Sequence, residues 1–107
     1  HINSKSKKVG SATKTATTEF ALDTFAHATY RAARYIIAMK EGTNFHSTEV
    51  MLVHDGSVVT LTAYGTLKDT NLATIDADIS GSDVRLLVTP ASANSTVIKF
   101  DRTLVDA

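Results

Sequence analysis

The sequence has no cysteine and no tryptophan, a single proline, and aromatic side chains at only 7% of its 107 positions. Without cysteine there is neither a disulfide framework nor a thiolate metal site, and redox chemistry says nothing of the compartment. No apolar run approaches the roughly 20 residues of a membrane-spanning helix, and the opening HINSKSKKVG lacks the apolar stretch of a signal peptide, so the expectation is a soluble chain with no membrane partner. Neither sign of charge dominates, because 11 basic residues face 11 acidic ones. The balance is uneven along the chain: Lys5, Lys7, Lys8 and Lys14 meet no acid in the first fourteen residues. Four lysines without arginine or aromatic neighbours make a poor footprint for nucleic acid, and no nucleic-acid partner is expected. Residues 1–12 read as a flexible basic arm or linker, and residues 13–107 as one domain, a length at which roughly 60–70% of the unfolded surface can be buried.

What is present is a succession of β-rich runs separated by turn residues. In NFHSTEVMLVH and SVVTLTAYG, two such runs flank Asp55-Gly56, a strong short-range signal for a β-hairpin. Taken as a two-residue turn, it sets Leu52 opposite Val59 and Val50 opposite Leu61 on a core face. The other face then pairs Val53 with Val58, Met51 with Thr60 and Ser47 with Tyr64, and is half apolar. A second hairpin turns at Gly81-Ser82, placing Ile79 opposite Val84, Ala77 opposite Leu86, and Asp78 opposite Arg85 as an ion pair on the outer side. Tyr30 to Met39 reads as a strand with Tyr35, Ile37 and Met39 on one face, and Glu41-Gly42-Thr43 turns it into the next. Ser95 to Leu104 reads as a strand with Ile98, Phe100 and Leu104 inward. Thr13 to Asp23 suits an edge strand, Thr24 to Ala33 stays open between strand and a turn or two of helix, and Pro90 falls in a loop. These runs predict an all-β, antiparallel β-sandwich, jelly-roll-like, of about six to eight strands joined mainly by hairpins, with a flattened barrel as its rival.

Chemistry is sparse. His46 and His54 share a strand face but lie eight residues, roughly 26 Å, apart, too far to hold one ion; His54 reads as an exposed turn residue. Asp76 and Asp78 share a strand face near Asp83, a pattern that suits a solvated sheet face better than calcium or acid–base work. No nucleophile elbow and no phosphate loop occurs. The reading is therefore of a protein that is not an enzyme, with no catalytic, cofactor-binding or metal-ligating residues and no cofactor. Met51, Val53, Val58, Thr60 and Tyr64 form the candidate self-association strip, to be covered by the second sheet or by another subunit. Tyr64, His54 and Asp55 are the candidates for contact with a ligand.

Residues 20–107 resemble a domain that recurs in virion structural proteins of tailed phages, above all contractile-tailed phages of marine cyanobacteria. The likeness lies in DTFAHATYRAARYIIAMKEGTNFHSTEVMLVHDGSVV and in DADISGSDVRLLVTPASANSTVIKFDRTLVDA. It departs at SVVTLTAYG, which keeps Tyr64 where the family has a strand richer in tyrosine and acid. The resemblance implies a virion module of tail, fibre or capsid-decoration type that assembles with copies of itself, trimers being favoured, and with other virion proteins. The alternative is a carbohydrate-binding or receptor-binding module for glycans of the host surface.

Overall fold

The computed structural model describes residues 7–106. They form eight antiparallel strands: β1 (Lys7–Lys14), β2 (Phe20–Ala26), β3 (Tyr30–Glu41), β4 (Asn44–His54), β5 (Val59–Lys68), β6 (Ala73–Ser80), β7 (Asp83–Pro90) and β8 (Thr96–Asp106). A five-stranded sheet runs in the order β1-β8-β3-β4-β5 and a three-stranded sheet in the order β2-β7-β6. The antiparallel sandwich is thus as the β-rich runs imply, with sheets of unequal width. Three connections are hairpins, β3 to β4, β4 to β5 and β6 to β7, and the other four carry the chain between sheets.

Strict alternation makes β3 the spine of the wide sheet. Ala33, Tyr35, Ile37 and Met39 face inward and are buried, while Arg34, Ile36 and Ala38 face out. Val50 and Leu52 of β4, Ile98, Phe100 and Leu104 of β8, and Val84, Leu86 and Val88 of β7 pack with them in the core, joined by Phe25 of β2, Leu72 just before β6 and Ala73 of β6. Each such aliphatic side chain contributes roughly 1.5–3 kcal/mol on burial.

The two hairpin tips differ. Gly81-Ser82 is the two-residue turn expected, with Ile79 opposite Val84 and Asp78 opposite Arg85. At the other tip the loop has four residues, so Leu52 lies opposite Leu61 and Val53 opposite Thr60, two residues out of the expected register. The cause is the Asp55 carboxylate, whose Oδ1 accepts from the Ser57 and Val58 backbone N–H groups at 2.9 and 2.8 Å and closes a wider turn. A slip of two preserves side-chain parity, so the inward set is unchanged.

Three further expectations are corrected. Residues 7–12, read as part of a flexible arm, form most of β1, which pairs with β8 through eight consecutive registers; Lys5 lies outside the described residues. The Thr13 to Asp23 stretch is not one strand but the end of β1, a link, and the start of β2. Pro90 is the buried last residue of β7, not a loop residue, and stands beyond Val88, the final β7 position paired with β2. Thr24 to Ala33 resolves as strand, turn and strand. The start of β1 and the end of β8 lie side by side, Lys7 being opposite Thr103.

Candidate functional site

Buried polar chemistry gathers on the inner face, where the sheets meet. On β2 the register shifts between Ala21 and Asp23, a bulge that turns the Asp23 side chain into the sandwich. There its Oδ2 accepts from the Tyr35 hydroxyl at 2.8 Å and from Arg102 Nη1 at 2.8 Å, while Oδ1 meets Lys8 Nζ at 3.0 Å. Tyr35 and Arg102 are cross-strand neighbours on β3 and β8, so one carboxylate of the narrow sheet is held by three strands of the wide one. Burial, reinforced by the Asp23 charge, pushes the Tyr35 phenol well above its ordinary range and fixes it as a neutral donor. Arg102 Nε is buried with no partner among the described residues, the one unbalanced group in the cluster.

Strand β4 carries a second polar set, and here the reading of His54 as an exposed turn residue is corrected. His54 is buried; its Nε2 donates to the Tyr30 carbonyl at 2.6 Å and its Nδ1 accepts from the Gly56 N–H at 3.0 Å. Both ring nitrogens are thereby spent on holding the hairpin tip. The His27 ring packs edge-on against it at 6.0 Å between centroids. At the other end of β4, His46 Nδ1 accepts from the Leu72 N–H at 3.2 Å, tying down the crossover from β5 to β6. Burial, with Lys68 nearby, holds its pKa below the ordinary imidazole value.

The sequence-derived candidates are scattered. Met51, Val53 and Thr60 lie on the outer face of the wide sheet, Met51 and Val53 each about half exposed, next to Ala32 and Val105. Val58 is exposed in the hairpin loop rather than paired on that face. Tyr64 is opposite Glu49, beside the 2.9 Å Arg34–Glu49 ion pair, and not opposite Ser47. The narrow sheet packs on the inner face, so it does not cover the strip. Asp55 is occupied by its two backbone N–H donors, which hold its carboxyl below the usual carboxylate range. Asp78 is engaged by Arg85 through both carboxylate oxygens, at 2.8 and 2.5 Å, and Asp76 accepts from the Ala77 N–H. Among the described residues no three His, Asp or Glu side chains converge as a metal site would require.

The Asp23 cluster and the roles of both β4 histidines are missed by the sequence reading. A signal for the first was there: the parity that turns Phe100 and Leu104 inward also turns Arg102 inward, and a buried guanidinium demands a carboxylate.

No protein-family model matches the chain, and no curated protein sequence matches it. Solved structures do. The tailspike protein of Acinetobacter phage vB_ApiP_P1 superimposes with a TM-score of 0.63 at 15% identity, over 92% of this chain and 22% of that one. The tailspike of Acinetobacter baumannii phage AM24 gives a TM-score of 0.52 at 12% identity, over 94% of this chain and 26% of that one. Tailspike gp49 of A. baumannii bacteriophage Fri1, a capsular polysaccharide depolymerase, gives 0.38 at 15% identity, over 94% of this chain and 20% of that one. The expectation of a protein that is not an enzyme is corrected: the fold lies within much longer tailspike chains, this chain covering 22% and 26% of the two with TM-scores above 0.5, so a fold of this kind does not mark a protein without activity. The chain spans about a quarter or less of the tailspikes it resembles, and at such identities the likeness establishes the fold.

Proposed function

We propose that this β-sandwich is a module of a phage tail appendage of the tailspike kind, part of the virion, which assembles with copies of itself through the outer face of its five-stranded sheet. The observation that carries the reading is the superposition of 92% of the chain on part of a tailspike at a TM-score of 0.63. The narrower assignment to phages of marine cyanobacteria rests on the sequence resemblance alone. Support for the assembly surface comes from Met51, Val53, Ala32 and Val105, which put apolar side chains side by side on a sheet face that no element among the described residues covers. Polar groups rim them: Thr60 and Thr62 on β5, Arg34 with Glu49, and Lys7 with Thr103. An apolar centre with a polar rim is the usual anatomy of a subunit contact.

Gold-labelled antibody against the domain, imaged on intact particles of the encoding phage, should decorate the tail; label confined to the capsid would sink the virion assignment to the tail. Multi-angle light scattering at high micromolar concentration should show an oligomer, trimers being the favoured form. A charge at the centre of the strip, Met51→Glu, should return it to monomer. A wild-type chain that stays monomeric throughout ends the assembly proposal and leaves the fold assignment untouched.

A further inference from the structure

Strand β1 buries no side chain and gives nothing to the core, yet the groove it lies in is built with care. That groove is the β8 edge together with Phe20 and Asp23 of β2. Three features of β1 match it. Gly10 lies over Phe100, where an added Cβ would stand 2.5 Å from two ring carbons of a buried side chain, so only glycine fits. Two residues earlier, Lys8 Nζ reaches Asp23 at 3.0 Å. Four residues later, the Lys14 ammonium sits 4.4 Å above the Phe20 ring. Eight backbone registers complete the recognition. Affinity from the ladder and selectivity from alternate side chains is how a sheet edge takes up an added strand.

The link from β1 to β2, residues 15–19, is exposed throughout, and among the described residues it makes no backbone hydrogen bond outside the strands. Loss of β1 would uncover Phe100 and Asp23 and strip one cation from the carboxylate, so the empty groove is costly. The groove does not distinguish its own β1 from that of a neighbour, because the contacts are identical; only the path of residues 15–19 and the entropy of association differ.

We infer that the β8 edge is a strand-accepting site, filled in cis by β1 and able to take β1 of a second copy of this chain, so that neighbouring copies are joined by strand exchange. This goes beyond association through the outer face and uses other residues. Ser11 and Lys99 are opposite each other in the β1–β8 register, both are exposed, and the chain has no cysteine of its own. Antiparallel partners lie roughly 4.5–5.5 Å apart at Cα, within disulfide reach. A full-length chain carrying only Ser11→Cys is mixed with one carrying only Lys99→Cys at millimolar concentration, unfolded, refolded together and oxidised. Strand exchange predicts that the 11–99 heterodimer, mapped by mass spectrometry, exceeds either homodimer severalfold beyond the statistical proportion. Adding Gly10→Ala to the Ser11→Cys chain should pull the mixture back to that proportion, whereas adding Met51→Glu to both should not. A statistical mixture from the unmodified pair, or no covalent product, overturns the inference; neither result bears on the outer face.

Discussion

The Asp23 cluster and the histidines of β4 both hold separate elements together from inside the sandwich, but one does so with charge and the other without. Asp23 stays a useful anchor because a phenol and two cations arrive from three different strands. His46 and His54 each take a backbone N–H on a ring nitrogen, and that bond exists only while the nitrogen lone pair is free. The first arrangement therefore fails when a partner is removed. The second fails, at His46, when the ring nitrogen takes up a proton. Sheet-to-sheet fastening and loop fastening in this protein thus answer to different perturbations, although both are buried polar contacts of similar length.

The largest effect should come from the charged side. Asp23→Ala leaves Arg102 buried without its carboxylate, and breaking such an arrangement costs about 3–5 kcal/mol; urea unfolding of the variant should show a midpoint lowered accordingly. A loss under about 1 kcal/mol would mean that Arg102 finds water or another acceptor, and the contrast with β4 would collapse. Tyr35→Phe keeps the ring packing and removes one donor to a buried carboxylate, for a loss of about 1.5–3 kcal/mol. Differential scanning calorimetry on Tyr35→Phe alone and combined with Asp23→Ala sharpens the point. The two losses should be far from additive, since the hydroxyl has no purpose once its acceptor is gone.

The smallest effect belongs to the neutral side and appears only with pH. Burial holds the His46 pKa below its ordinary value of 6.5, so as pH falls below that value the unfolded chain takes up a proton that the folded chain refuses. Stability is then highest above this window and declines on acidification until the depressed folded pKa is reached. Urea midpoints measured at about pH 7.5 and about pH 5.5 should fall in the parent and fall less in His46→Gln. An equal drop in both would remove His46 as the sensitive group.

Residue by residue, the fold was more legible than the site. The Gly81-Ser82 turn and its register were readable because glycine at a positive φ with no competing side chain leaves one compact geometry. Asp55-Gly56 carries the same signal, but the Asp55 carboxylate reaches two backbone donors further along and widens the loop, an interaction that hydropathy does not encode. Parity survived the slip, so the core of Val50, Leu52 and Leu61 was right although its pairing was not. Strand β1 was invisible because alternation is the evidence for a strand, and a strand held by its ladder, a glycine and two lysines has none to show. In the polar cluster only Arg102 leaves a local trace, through the inward parity of β8; the bulge that aims Asp23 and the arrival of Lys8 and Tyr35 are long-range and leave none.

The adjacency of Lys7 and Thr103 bears on how the domain behaves under load. If the chain is pulled at Lys7 and at the end of β8, the force enters at the same end of the β1–β8 ladder and acts across it. Rungs then open one at a time, as a zip does, and they are not sheared together. Such a domain yields at low force and recoils when released, which makes it suited to hang beside the line of tension rather than to transmit it.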